Sequence, residues 1–154
     1  MSGKGYKMNK KNFLAICFLL LMPIYANAEK SDLNQYEKIM IDKVWLTTQA
    51  LDENGKQLPP SDEHVSSFFG LAQYSGDGTF KMLTLNFEPK ISGDWLIDDK
   101  GQTRTLTAKD STGKILFTRV VDNITVSPTE YTYRVFPDPS DKTKYFDIIH
   151  KPLF

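Results

Sequence analysis

Short runs rich in aromatic and β-branched residues recur along most of this chain, and clusters of turn-forming residues separate them. This pattern is typical of all-β domains. We count eight runs, with approximate bounds of 44–51, 67–74, 79–85, 92–97, 103–108, 115–122, 130–136 and 145–150. The sequence therefore predicts eight β-strands in one domain.

The connections between these runs indicate how the strands pair. Four of them are short and combine glycine with acidic or small polar residues, a composition that favours tight turns. They are 52–55, 75–78, 98–101 and 110–113. Successive strands are therefore expected to be antiparallel neighbours. Two longer connections, 59–64 and 137–144, are candidates for mobile loops at a rim.

A short helix is expected before the first strand. Asp32 and Gln35 have the spacing of a capping box, and an apolar stripe follows one side of the helical wheel. The stripe consists of Leu33, Tyr36, Ile39 and Met40. A plugging helix followed by eight hairpin-linked strands fits an antiparallel up-and-down barrel, whose interior holds side chains or one small ligand. A sandwich of seven or eight strands is the alternative fold.

The beginning of the chain has the three parts of a secretory signal peptide. Lys10 and Lys11 form its positively charged start, residues 13–24 are almost wholly apolar, and residues 26–28 are small. A membrane anchor is the competing interpretation, but about 12 apolar residues are too few to cross a bilayer, which needs roughly 20. We therefore expect export without a stable membrane anchor after processing.

This interpretation sets the domain boundaries. Residues 1–28 are the predicted signal peptide, cleaved between Ala28 and Glu29, and residues 29–154 are the exported domain. Its location is expected to be periplasmic or secreted. Translation can begin at Met1 or at Met8, and the sequence leaves both open.

Charge and cysteine content narrow the function classes. Four lysines and the single cysteine, Cys17, precede residue 29, so the remaining 126 residues carry 15 basic and 19 acidic side chains, a formal charge of −4. A mildly acidic domain argues against a nucleic-acid partner, which needs a basic stripe. The absence of cysteine from the exported part excludes disulfide and thiolate chemistry there.

Several segments resemble a known family. Gly93-Asp94-Trp95 and the following residues 104–107 look like the central hairpin of small lipocalin-like (calycin-type) domains exported by bacteria. Residues 117–121, 131–134 and 145–148 resemble a bacterial family of lipocalin-like domains of unknown function. The resemblance covers residues 45–152 and implies a lipocalin-like barrel and export, but no reaction or ligand. True lipocalins place glycine-x-tryptophan on the first strand rather than the fourth, so their ligand-binding residues are not transferred.

The same hairpin predicts a structural pair. If its loop is residues 98–101, Trp95 lies opposite Arg104, and the guanidinium can stack on the indole. A three-residue loop places Thr105 there instead.

Catalytic and metal-binding motifs are not found. His64 and His150 are the only histidines, and neither lies in a zinc, serine-hydrolase or nucleotide-binding motif. The acidic turns lack the ligand spacing of a calcium loop. We therefore predict no catalytic residues, no metal and no cofactor.

A candidate ligand site follows from strand alternation. Tyr131, Tyr133 and Phe146 fall on inner faces, where core packing is the simplest explanation and a ligand wall the alternative. Arg119 interrupts an apolar strand. It either points outward beside half-exposed apolar neighbours, or points inward and needs an acidic or aromatic partner.

Two functions remain open at this point. The first is an exported, non-enzymatic binding protein that holds a small amphipathic ligand, with Arg119 as the polar anchor. The second is a protein-interaction module, such as an envelope factor or inhibitor, that acts through its surface and rim loops.

Overall fold

The computed structural model of the protein describes residues 32–153. The predicted signal peptide and its cleavage site lie outside the described residues. One helix and nine strands follow in order, with a 3₁₀-helix at Ser66–Phe68. They are α1 (Gln35–Met40), β1 (Val44–Asp52), β2 (Gln57–Leu58), β3 (Leu71–Tyr74), β4 (Thr79–Leu83), β5 (Pro89–Ile97), β6 (Thr103–Lys109), β7 (Ile115–Ser127), β8 (Glu130–Val135) and β9 (Phe146–Pro152). Within the described range, no helix is long and apolar enough to cross a membrane.

Eight of the strands close into a barrel. Each strand from β3 to β8 pairs antiparallel with the strand that follows it, and β9 pairs antiparallel with β1. Val44, Trp45 and Leu46 of β1 also pair with β3, while the two-residue β2 adds to the far end of β1. Closure leaves no open sheet edge between the first and last strands. The predicted lipocalin-like, eight-stranded up-and-down barrel is therefore confirmed, and the sandwich alternative is wrong.

The two ends of the barrel differ. The helix α1 covers one end, where Asn34 Nδ2 donates to the Ile97 carbonyl across 2.8 Å. We call this the helix end. The connections β1 to β3, β4 to β5, β6 to β7 and β8 to β9 gather at the opposite end, which we call the mouth. Both of the longer loops expected from the sequence lie at the mouth.

The predicted helix forms, but its cap is not Asp32. Asn34 is the N-cap: its side-chain oxygen accepts from the Tyr36 and Glu37 amides, and the Glu37 carboxylate accepts from the Asn34 amide. The box is therefore Asn34 with Glu37, two residues later than expected. A tertiary contact favours this cap, since the Asn34 side chain also bonds the Ile97 carbonyl of β5.

Large side chains fill the barrel near the helix end. Trp45 and Tyr131 are completely buried, and Tyr74, Phe80 and Trp95 are buried around them. The Trp45 indole donates to the Met40 carbonyl of α1 at 3.0 Å, which ties the helix to this core. Packing is less complete toward the mouth, where a cavity remains.

Candidate functional site

A cavity of about 220 Å³ opens at the mouth of the barrel. Phe68 of the 3₁₀-helix and Phe117 of β7 flank its entrance, while Tyr133 and His150 reach it from β8 and β9. The sequence left open whether the barrel is filled or hollow. The structure combines both, with a packed helix end and this mouth cavity.

The cavity has a one-sided charge. Its lining includes Lys90, Arg104 and Arg119, and among the described residues that line it there is no aspartate or glutamate. Three cations and aromatic walls therefore face the same small volume.

Arg104 is the buried cation of this group, with 1% of its surface exposed. On β6 it shares the buried face with Leu106 and Ala108, so strand geometry turns it inward. Its Nη1 donates to the Tyr74 hydroxyl at 2.6 Å, and the guanidinium carbon lies 4.4 Å from the Tyr133 ring centroid. Its buried Nε has no hydrogen-bond partner among the described atoms. An arginine has five N–H donors, so this one retains unused capacity.

Three tyrosines surround Arg104. Burial lowers the pKa of its guanidinium, but attraction to the hydroxyls of Tyr131, Tyr74 and Tyr133 outweighs this, and the pKa stands above its ordinary value. Burial in turn raises the pKa of each tyrosine. The arginine is therefore charged and the tyrosines are neutral at physiological pH. The Tyr131 hydroxyl donates to Asn123 Oδ1 at 3.0 Å.

His150 lies beside this cluster as a neutral ring. Its pKa falls to about 3, chiefly because burial disfavours the charged form and also because Arg104 repels it. Nδ1 lies 3.1 Å from the Tyr131 carbonyl, which can only accept, so Nδ1 carries the proton. The ring stacks on Tyr133 with centroids 5.2 Å apart. A neutral, stacked histidine of this kind provides a wall rather than a fourth cation.

Arg119 occupies the entrance. It pairs with the inward-facing Leu106, so it shares the inner face, yet it is exposed because that end of the barrel is open. Its guanidinium carbon lies 5.4 Å from the Phe68 ring centroid and 5.5 Å from that of Phe117. Of the two orientations considered from the sequence, the inner face with aromatic partners is the observed one.

Lys90 holds part of the entrance in place. Its Nζ donates to the carbonyls of Ser67 and Phe69 at 2.8 and 3.1 Å, on either side of Phe68. The 3₁₀-helix is thereby tethered to β5. No sequence signal marks this contact, because the partners are backbone atoms about twenty residues away.

A second depression adjoins the first. Its volume is about 290 Å³, and Phe68 and Arg119 line both. Arg134 and Lys142 also line it, and Asp122 is the acidic residue among its described lining. Arg134 forms a two-bond ion pair with Asp147 at 2.7 and 2.9 Å. This depression is thus also rich in cations, although one of them is already paired.

The structure separates the four residues predicted to bind ligand. Arg119 and Tyr133 line the mouth cavity together. Tyr131 is completely buried in the core. Phe146 is half-buried in another depression of about 120 Å³, which it shares with His64 and Phe68. Their ligand-binding roles stay predictions.

The expected pairing of Trp95 with Arg104 is wrong. Trp95 lies opposite Leu106, and Arg104 lies opposite Ile97. Asp98 and Thr103 still bond each other, so the four-residue loop is 99–102 rather than 98–101, which moves each partner by two positions. The Trp95 indole instead donates to the Ser75 carbonyl at 3.0 Å and packs on Tyr74 with centroids 4.8 Å apart.

Other site chemistry is sparse in the described part of the chain. His64 is exposed, and its Nδ1 lies 3.1 Å from Asp62. Residues 32–153 contain no cluster of three or more histidine, cysteine, aspartate or glutamate residues that could hold a metal ion.

Comparison with known proteins places the chain in a family. Residues 37–154 match the family model described as Domain of unknown function (DUF4822), and the chain belongs to this family. The expectation of a family of unknown function is confirmed, while a bacterial source and export stay predictions.

One similar solved structure is described as "Biogenic amine-binding protein selenomethionine derivative". It is 15% identical, with a TM-score of 0.40 over 80% of this chain and 68% of that chain. No curated protein matches the chain.

Proposed function

We propose that this family member is an exported, non-enzymatic binding protein that holds a small amphipathic anion in the mouth cavity. The observation that carries the proposal is the charge of the lining. Lys90, Arg104 and Arg119 line the cavity, and no carboxylate does so among the described residues. An anionic ligand would neutralise a cluster that the protein leaves uncompensated.

The buried arginine supports the same ligand class. Buried charges are normally paired, because removing an ion from water costs several kcal/mol. The described partners of Arg104 are tyrosine hydroxyls and aromatic rings, and none of the described residues that line the cavity with it is a carboxylate. A carboxylate on a ligand would give the guanidinium the anionic partner that the described lining does not supply.

The apolar part of the ligand would meet Phe68, Phe117 and Tyr133. Their rings surround a cavity of about 220 Å³, and an apolar cavity of about 150 Å³ already accepts benzene. The volume therefore suits one aromatic ring, or an aliphatic group of similar size, with a polar substituent. An amine would meet like charges in this cavity.

The test compares three probes of one shape and different charge: benzoate, benzyl alcohol and benzylamine. Calorimetric titration should rank benzoate first and benzylamine last. Arg119→Ala should weaken benzoate binding by about 1.5–3 kcal/mol, the range for a hydrogen bond to a charged group. Equal binding of benzylamine and benzoate would contradict the anion assignment.

Lys100→Ala provides the matched control. It removes the same unit of charge from an exposed lysine in the β5 to β6 connection, at the helix end. Benzoate affinity should be unchanged in this variant. An equal loss in both variants would mean that net charge, rather than the position of Arg119, attracts the anion.

Native mass spectrometry of the protein purified from its own envelope fraction would identify a natural ligand. An added mass that disappears in Arg119→Ala would support the carrier function. A bound protein instead would favour the alternative of an envelope factor or inhibitor that acts through the rim loops.

A further inference from the structure

Apolar side chains are concentrated on two hairpins at the mouth. Five of the nine large apolar residues that are exposed within residues 32–153 lie there. We call these five residues the apolar rim: Leu85, Phe87, Ile115, Leu116 and Phe117, with exposed fractions between 37% and 66%. Leu85 and Phe87 belong to the β4 to β5 connection, and the other three begin β7. Exposed apolar clusters of this kind mark interaction surfaces.

Phe87 is the most exposed member and has an unfavourable backbone conformation. Its φ is +64°, a region that favours glycine and is uncommon for a bulky side chain. The turn holds it there through bonds from the Phe87 amide to the Thr84 carbonyl and from the Thr84 amide to the Glu88 carbonyl, at 3.0 and 2.8 Å. Folding alone favours glycine at this position, so the exposed phenylalanine points to a surface role.

Lysines accompany the apolar rim. Lys81, Lys90 and Lys109 line an open depression that reaches from β4 to Leu116, with Asp110 as the acidic residue of its described lining. Lys114 is exposed in the connection before β7. Lysine stems lie along apolar surface while their ammonium groups reach polar surroundings. Lys109 forms an ion pair with Asp94, and the exposed Glu88 follows Phe87 in the turn. This side of the mouth is therefore apolar and carries a small excess of lysine.

We propose that the apolar rim docks the mouth of the barrel onto an anionic phospholipid bilayer. The rim residues enter the interface, and the exposed Lys81 and Lys114 contact headgroup phosphates. Projecting hairpin ends carry the apolar groups, a shape that suits penetration between lipids better than contact with a flat protein face. Docking of this kind does not depend on the proposed ligand. It does place the cavity entrance, between Phe68 and Phe117, against the membrane.

The experiment measures flotation of the protein with vesicles of phosphatidylcholine alone and with vesicles that also contain phosphatidylglycerol. The wild-type protein should bind the anionic vesicles more tightly, and salt should weaken this binding. The double variant Leu85→Ser/Phe87→Gly should lose about tenfold or more in affinity, because two apolar groups no longer leave water. Glycine at position 87 also relieves the left-handed backbone, so thermal stability should not fall with binding.

The matched control is Ile124→Ser/Leu153→Ser. These residues are 48% and 42% exposed and lie toward the helix end. Their replacement should leave vesicle binding unchanged. The N-terminal apolar run is common to all these variants, so its contribution cancels in the comparison.

Three outcomes would overturn the proposal. They are no preference of the wild-type protein for anionic vesicles, equal binding of the rim double variant and the wild type, or an equal loss in the helix-end control. Loss of a protein partner from the rim variant without any vesicle binding would assign the rim to a protein instead.

Discussion

Arg104 is the residue whose surroundings are hardest to explain by stability alone. It donates to the Tyr74 hydroxyl and also interacts with the hydroxyls and rings of Tyr131 and Tyr133, of which the Tyr133 ring is the nearest. A hydrogen bond to a charged group contributes about 1.5–3 kcal/mol, and a desolvated cation–π contact about 2 kcal/mol. Burying an ion costs several kcal/mol. These contributions are similar in size, so the contacts of Arg104 roughly offset the cost of burying its charge.

His150 should make folding stability depend on pH. Its pKa falls from 6.5 to about 3 in the folded protein. The unfolded chain therefore binds a proton first as the pH falls. The contribution of His150 to the free energy of unfolding is fully present above pH 6.5. It falls by about 1.4 kcal/mol per pH unit as the pH decreases toward 3. Urea unfolding at a series of pH values measures this loss.

The matched variant for this prediction is His150→Gln, which retains a hydrogen-bond donor but does not titrate. Its free energy of unfolding should change little between pH 6.5 and 5, a range above the ordinary pKa of the carboxylates. A wild-type protein with a flat profile over that range would show that His150 is accessible to protons in the folded state.

At the level of elements, α1 depends on its cap because six residues are too few for a stable isolated helix. Asn34→Ala removes the acceptor for two helix amides and the bond to the Ile97 carbonyl. The expected loss of stability is about 1–2 kcal/mol. Asp32→Ala, at the exposed residue first expected to cap the helix, should change stability by less than about 0.5 kcal/mol. Urea unfolding of the two variants decides between the caps.

The glycine of Gly93-Asp94-Trp95 is required by strand packing. A Cβ at Gly93 would lie 1.9 Å from the Thr107 carbonyl oxygen on β6. Because the backbone of β5 or β6 would have to move, Gly93→Ala should lower the free energy of unfolding by about 3 kcal/mol. A Cβ at Gly113 would have no atom within 4 Å, and the residue has a φ of +86°. Gly113→Ala is therefore unfavourable only because of the backbone conformation, and it should lower the free energy of unfolding by about 1–2 kcal/mol. Calorimetric melting compares them, and equal losses would contradict the steric explanation.

The strands were predictable because alternation and turn residues are local signals. Six strands lie within three residues of their expected bounds, while β7 continues five residues beyond its expected end at 122. Residues 67–70 are the end of a 3₁₀-helix and its exit rather than the start of β3. The two-residue β2 was missed because it is too short to alternate. The loop between β5 and β6 was displaced by one residue, since the Asp98 side chain bonds the Thr103 amide and extends the pairing.

At the scale of the whole molecule, the barrel was predictable and the site only in part. Arg119 and Tyr133 were identified because a charge interrupted one strand and an aromatic residue alternated on another. The local hairpin pattern pairs Arg104 with Trp95, whereas its actual partners lie on β3 and β8. Closure of the sheet, through the pairing of β1 with β9, creates such contacts, and no local pattern encodes them.

The barrel should be indifferent to thiol reagents. The only cysteine of the sequence is Cys17, which precedes the predicted cleavage site. We expect the exported form to begin at Glu29 and therefore to contain no cysteine. Stability must then come from packing and the closed ladder, and the melting temperature should be the same with and without reductant. Intact mass checks the start of the exported chain. A shift of several degrees on addition of a thiol, or a mature mass that includes Cys17, would show that the cleavage site is misplaced.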